Sequence, residues 1–164
     1  MSEIITQAIE HCISLASNHF RAQFSIPSFS FQQRGKIAGS ARLHEWTIRL
    51  NPVLFAANQV QFIQEVIPHE VAHLIVFKQW EKQYRSGKIK PHGAEWQYVM
   101  QRVFNLAART THSMDVSAVR GEVFAYECLC QSHSLSIRRH RAVTRGTTQY
   151  LCRKCGSVLK QRSV

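Results

Sequence analysis

The sequence predicts an α+β fold, with a core of helices plus a small β-sheet or hairpin, followed by a separate β-rich tail. Apolar residues recur at helical spacing at the N-terminus and again around residues 61–79. Between those segments, two short stretches alternate apolar and polar residues as strands do. From Val123 onward the composition shifts to cysteine, arginine and short β-prone runs, and four of the five cysteines fall between 128 and 155. A chain of 164 residues, 45% hydrophobic with three tryptophans, can bury a core. It suits one domain over 1–122 and an appendage over 123–164.

Taken in order, Ile4, Ile5, Ala8, Ile9, Cys12, Ile13, Ala16 and Phe20 predict an amphipathic helix over 2–20. Ile26-Pro27 ends it. Phe29 with Phe31, and Trp46, Ile48 and Leu50, mark two strands. Gly35 and Gly39 punctuate the stretch between them, and Asn51-Pro52 closes the second strand. That second strand reads as a core strand that could also serve as an edge for an extended peptide. A helix follows over 61–79. Pro68 lies inside it, so it is kinked or becomes regular only near Pro68. Residues 81–91 read as loop. A third helix runs from about His92 to Phe104, with Trp96, Val99, Met100 and Val103 as its buried stripe. Residues 106–122 read as an irregular connector.

The charge balance, 21 basic against 10 acidic residues, gives +11. Such a field favours a polyanion partner and does not specify a fold. The charge is concentrated: from Cys128 to Val164 there are eight Lys or Arg and no Asp or Glu. Met1-Ser2-Glu3-Ile4-Ile5 lacks a basic n-region and an apolar run, so no secretory signal is expected. No window approaches the ~18 apolar residues a bilayer span requires. A cytoplasmic protein without membrane contact is expected, with the nucleoid as its alternative location. There, metal binding suits the clustered cysteines better than disulfides, and Cys12 reads as packing.

The segment His69-Glu70-Val71-Ala72-His73 sits in the apolar run Phe62 to Phe77. Four residues make about one helical turn, so both imidazoles project from one face and can chelate one zinc ion. A catalytic zinc takes three protein ligands and keeps one position open. Val76 and Gln79 stand where a metzincin needs Gly and His, so the third ligand lies elsewhere. His92 and Glu95 are the candidates, His92 being favoured by its setting between Pro91 and Gly93. Glu70 is placed to accept a proton from water and deliver it to a leaving amine. Tyr84 and Tyr98 are candidate oxyanion stabilisers.

In the tail, Tyr126-x-Cys128-x-Cys130-x-x-His133 and Tyr150-x-Cys152-x-x-Cys155-Gly156 read as the two halves of a zinc ribbon. Cys152 and Cys155 form one half of the ligand set. Cys128 with either Cys130 or His133 forms the other. Arg138, Arg139, His140, Arg141 and Arg145 lie between the halves, where a β-ribbon would present them to phosphates. No helix is apparent there, so little base-specific readout is expected.

Together these segments resemble the SprT family, the bacterial relatives of the Spartan DNA-dependent proteases. The matching residues are Gln33-Arg34-Gly35, Ala38-Gly39, Ile48-Arg49-Leu50-Asn51-Pro52 and Pro68-His69-Glu70-x-x-His73. They continue through His92-Gly93-x-Glu95-Trp96, Arg138-Arg139-His140 and Tyr150-x-Cys152-x-x-Cys155-Gly156. The resemblance implies a zincin-like metalloprotease core followed by a zinc ribbon. It also implies that His69, His73 and His92 hold a catalytic zinc with Glu70 as acid/base. Cleavage of proteins bound or crosslinked to DNA is the activity it implies, with DNA held by the ribbon and a second, structural zinc at the cysteines. The competing expectation is a non-catalytic, zinc-containing DNA- or RNA-binding regulator.

Overall fold

Ile5, Ile9, Cys12, Ile13 and Ala16 fall on one stripe, and burying that stripe makes Ser2–Phe20 the helix α1. The computed structural model describes residues 2–111, 114–119 and 121–162. It divides into two compact units, Met1–Val119 and Arg120–Val164, each described by itself. No helix among the described residues is long and apolar enough to cross a membrane.

In the first unit, β1 (Ser28–Ser30), β2 (Gly39–Arg42) and β3 (Thr47–Leu50) form a mixed sheet of order β1-β3-β2. β1 runs parallel to β3 and β2 antiparallel to it, with Gly39 opposite Leu50 and Ala41 opposite Ile48. This corrects two expectations. The glycine-punctuated stretch contains a strand, and β3 cannot be an edge for a peptide because it is central. Ile48 and Leu50 are fully buried there. β2 lacks a run of large apolar residues, which is why alternation missed it.

Asn51 is buried and saturated with hydrogen bonds. Its Oδ1 accepts from the Val53 and Leu54 backbone N–H groups, and its Nδ2 donates to the Gly35 and Ile37 carbonyls at 2.8 and 3.2 Å. It caps α2 (Pro52–Ala57), a helix beginning with proline, and pins the loop that delivers β2. After the short α3 (Gln59–Gln61), residues Phe62–Val66 form a π-turn in which the Ile67 N–H bonds to the Phe62 carbonyl. Regular helix resumes as α4 (Ile67–Gln79) with Pro68 in its first turn. The π-turn absorbs the missing proline N–H, so the ligand-bearing part of the helix is undistorted.

Residues 81–91, expected as loop, begin with the short helix α5 (Glu81–Arg85), stitched by the Arg85–Glu81 ion pair at 2.8 Å. His92 precedes the next helix, in a turn closed by the Gly93 N–H to the Lys90 carbonyl. Helix α6 (Ala94–Tyr98) then runs into a second π-turn, Val99–Val103. The expected connector over 106–122 is irregular where described, apart from a 3-10 turn at Ser117–Val119. Its residues 112, 113 and 120 lie outside the described residues.

The second unit pairs β4 (Val123–Glu127) with β5 (Ser132–Ser136) and β6 (Lys160–Gln161), both antiparallel. Arg138 to Arg141, expected on a β-ribbon, instead lie on helix α7 (Ile137–Thr144). The reason is packing: His140 and Val143, three residues apart, form the inward edge of one helical turn against β4 and the small core. That core consists of Tyr126, Leu135, Cys152 and Leu159.

Candidate metal centres

Helix α4 projects His69 and His73 from one face, and the turn before α6 brings His92 to meet them. Their Nε2 atoms form a triangle with sides of 3.2 Å (His73–His69), 3.2 Å (His73–His92) and 3.0 Å (His92–His69). Nitrogens held about 2.0–2.1 Å from one tetrahedral zinc would lie roughly 3.3 Å apart, so the donor set fits a single small cation. Glu95, the other candidate third ligand, is not part of this group.

Trp96 forms the wall behind the triad. It is fully buried, its centroid lies 4.8 Å from the rings of both His69 and His92, and its Nε1 donates to the His69 carbonyl at 3.3 Å. It therefore ties α6 to the ligand-bearing helix α4 and fixes ring orientation. The sequence marked Trp96 only as packing. Burial, with the neighbouring imidazoles adding to it, keeps His73 neutral by lowering its pKa to about 3. Burial also lowers His92. Neutral imidazoles are the form that binds metal.

Glu70, between the two histidines in sequence, is 7% exposed. Burial raises its carboxyl to about 7, and a hydrogen bond from the Ala41 backbone N–H opposes that rise. A carboxylate with this pKa suits proton transfer near neutral pH. Its neighbour is Gly39, where an added Cβ would lie 2.9 Å from Val66 Cγ1 and 3.0 Å from Glu70 Cγ. Gly39 and Ala41 thus bring the outer strand β2 against the Glu70 carboxylate. Neither was singled out for this role from sequence, because the contact joins a strand and a helix about thirty residues apart. Of the candidate oxyanion groups, Tyr98 hydrogen-bonds His19 at 2.8 Å and Tyr84 packs edge-on against Phe77. Neither is brought to the triad by these contacts.

In the second unit, the thiols of Cys128, Cys130, Cys152 and Cys155 all lie within 4.8 Å of one another. Cys128 and Cys130 are 3.5 Å apart and Cys130 and Cys152 3.7 Å, near the roughly 3.8 Å expected across a tetrahedral zinc–thiolate edge. Backbone N–H groups of Cys130 and Lys154 point at the Cys128 and Cys152 sulfurs, as knuckle turns do. Gly156 takes a φ of +71°, which closes the second turn. His133 reaches the Cys128 sulfur at 3.3 Å but stands outside the four-thiol group. Ser157 bonds to Cys155 and pulls its thiol down to about 6, toward the thiolate a metal requires.

Arg138 and Arg141 on α7, with Arg145 at its C-cap, are spaced so that they share one side, within roughly 60° of one another. All three are exposed. Arg139 is exposed too, with its guanidinium 5.5 Å from the Tyr150 ring centre. His140 faces inward. Its ring stacks on Phe124 at 3.7 Å, and its Nδ1 lies 3.1 Å from the Tyr126 hydroxyl. The histidine of the basic run holds the helix to the sheet, while the arginines face solvent.

Residues 9–114 match the model of the SprT-like family. Over 160 residues the chain is 43% identical to Protein SprT of Yersinia pestis, covering 98% of this chain and 91% of that protein. It is 44% identical over 160 residues to Protein SprT of Serratia proteamaculans (strain 568), covering 95% and 91%. Protein SprT of Pectobacterium atrosepticum is 45% identical over 158 residues, covering 94% and 89%. No solved structure matches the chain.

Proposed function

From the premise that the chain belongs to the SprT-like family, we propose that it is a zinc-dependent peptidase acting on DNA-associated proteins, including crosslinked ones. The observation that supports this is the convergence of three imidazoles beside one buried carboxylate. His69, His73 and His92 would hold the zinc. When bound, the ion supplies a Lewis acid for the scissile carbonyl and lowers the pKa of water to about 7. Glu70 takes the proton of the attacking water and passes it to the leaving amine, so one water is consumed per peptide bond. Ala41 and Gly39 hold that carboxylate in place. Trp96 keeps the rings aimed.

The four cysteines would hold a second, structural zinc that organises the tail. The stripe of Arg138, Arg141 and Arg145 would then meet the phosphate backbone, giving affinity with little sequence preference. Arg139 adds to the same surface. Glu70→Gln tests the mechanism. The variant should retain zinc and DNA binding while losing cleavage of a DNA-bound protein, and full cleavage by it would exclude the mechanism.

A further inference from the structure

A cavity of about 1040 Å³ opens beside the triad, and its wall includes both His69 and Glu70. It runs from there along α1. Its lining is mainly apolar, with Ile4, Ala8 and Leu15 from the helix, Ile37 from the loop before β2, and Ile63 from the π-turn. Ile4 and Ile37 are 51% and 59% exposed, and Ala8, Leu15 and Ile63 are half-buried. A single exposed apolar side chain is ordinary on a protein surface. Several lining one concavity that leads to a buried carboxylate mark a binding surface. The volume is at the upper end of that of small-molecule sites, enough for more than one peptide residue.

We infer that this cavity is the specificity pocket of the peptidase and receives a bulky apolar side chain next to the scissile bond. The inference rests on the peptidase reading and adds the substrate class. Leu, Ile, Met and Phe side chains are buried in folded proteins. A pocket demanding one therefore restricts cleavage to segments that are already locally unfolded. Lys36 and Arg109 line the cavity together with Glu65 and Glu70, so opposite charges balance there and the apolar wall is what selects.

The test maps cleavage sites in a randomised peptide mixture digested by the zinc-loaded full chain with DNA present, alongside Ala8→Trp and Ile37→Asp. Trp at 8 would narrow the pocket along its α1 wall. Asp at 37 would put a carboxylate on its wall at an exposed position, where folding is little affected. The expected result is enrichment of bulky apolar residues at one position flanking the cut, with kcat/KM about 10- to 100-fold higher for Leu than for Ala. Both variants should shrink that ratio at least about tenfold. Cleavage with no such enrichment, or with a ratio unchanged in both variants, overturns the pocket and leaves the peptidase reading intact. Retention of the same mixture on immobilised, zinc-loaded Glu70→Gln separates the opposite case. Apolar enrichment there, with no cleavage by the parent chain, would keep the pocket and remove the peptidase. Neither enrichment nor cleavage would overturn both.

Discussion

Replacing Gly39 with alanine should impair catalysis without touching a ligand. The backbone at Gly39 is not left-handed, so any penalty is steric. The new methyl would sit 2.9 Å from Val66 Cγ1, 3.0 Å from Glu70 Cγ and 3.2 Å from Glu70 Oε1. Carbon atoms prefer about 3.5–4.0 Å, so β2 and α4 must separate by roughly 0.5–1 Å. Overpacking of that kind costs about 1–3 kcal/mol, a fall in Tm of roughly 4–12 °C for a unit of this size. A shift near 1 Å at Glu70 would also lower kcat about a hundredfold, because proton transfer depends steeply on position. Calorimetry, kcat on a DNA-bound substrate and zinc content per chain measure the three effects, and zinc content should not change. Gly121→Ala, where an added Cβ meets nothing within 4 Å, is the control. If Gly39→Ala matches that control in Tm and kcat, the close approach of β2 to Glu70 does not govern the chemistry.

Four further outcomes are expected. In metal-free protein, Glu70 titrates at about 7 folded against 4.5 unfolded, so it costs stability as pH rises between those values. His73 titrates at about 3 folded against 6.5 unfolded, so it costs stability as pH falls between those values. The two slopes offset between about 4.5 and 6.5, giving a plateau with losses on both sides; Glu70→Gln should abolish the loss above about 6.5, and denaturant titrations across pH would show whether it does. Cys128→Ser should reduce bound zinc from two ions to one, measured by elemental analysis, and should unfold the second unit while α1 to α6 persist in hydrogen exchange. Arg138→Ala and Arg141→Ala should each weaken DNA binding at all sequences and lower the salt slope by about 1. His140→Ala should instead lower the Tm of the second unit, and an unchanged Tm with a reduced salt slope would place that ring with the phosphates.

Features that rest on local chemistry were legible in the sequence. The α1 stripe, the His69 and His73 pair and the Cys152 and Cys155 pair are local patterns, and the structure places them as spacing requires. Spacing left open the choices of His92 over Glu95 and of Cys130 over His133. β2 was not legible, because its glycine and small residues are chosen for close approach to Glu70 instead of for alternation. The α2 helix could have been found from Asn51-Pro52, since an N-cap followed by proline starts helices as readily as it ends strands. Helix α7 was hidden because three arginines and a histidine in a row carry no apolar period; what folds it is the stacking of His140 on Phe124, sixteen residues upstream in β4. The inward role of Trp96 depends on which helices meet, and no single segment encodes that.

The two π-turns give the peptide spacing between walls and ligands an all-or-nothing character. Each contains one residue more than an α-helical turn would need. Deleting a residue from Phe62–Val66 would let the helix close regularly, yet everything upstream would then be swung by about 100° about the helix axis relative to His69 and His73. Chain length in that five-residue stretch is therefore as constrained as the identity of the imidazoles, although none of its side chains needs to bind an ion.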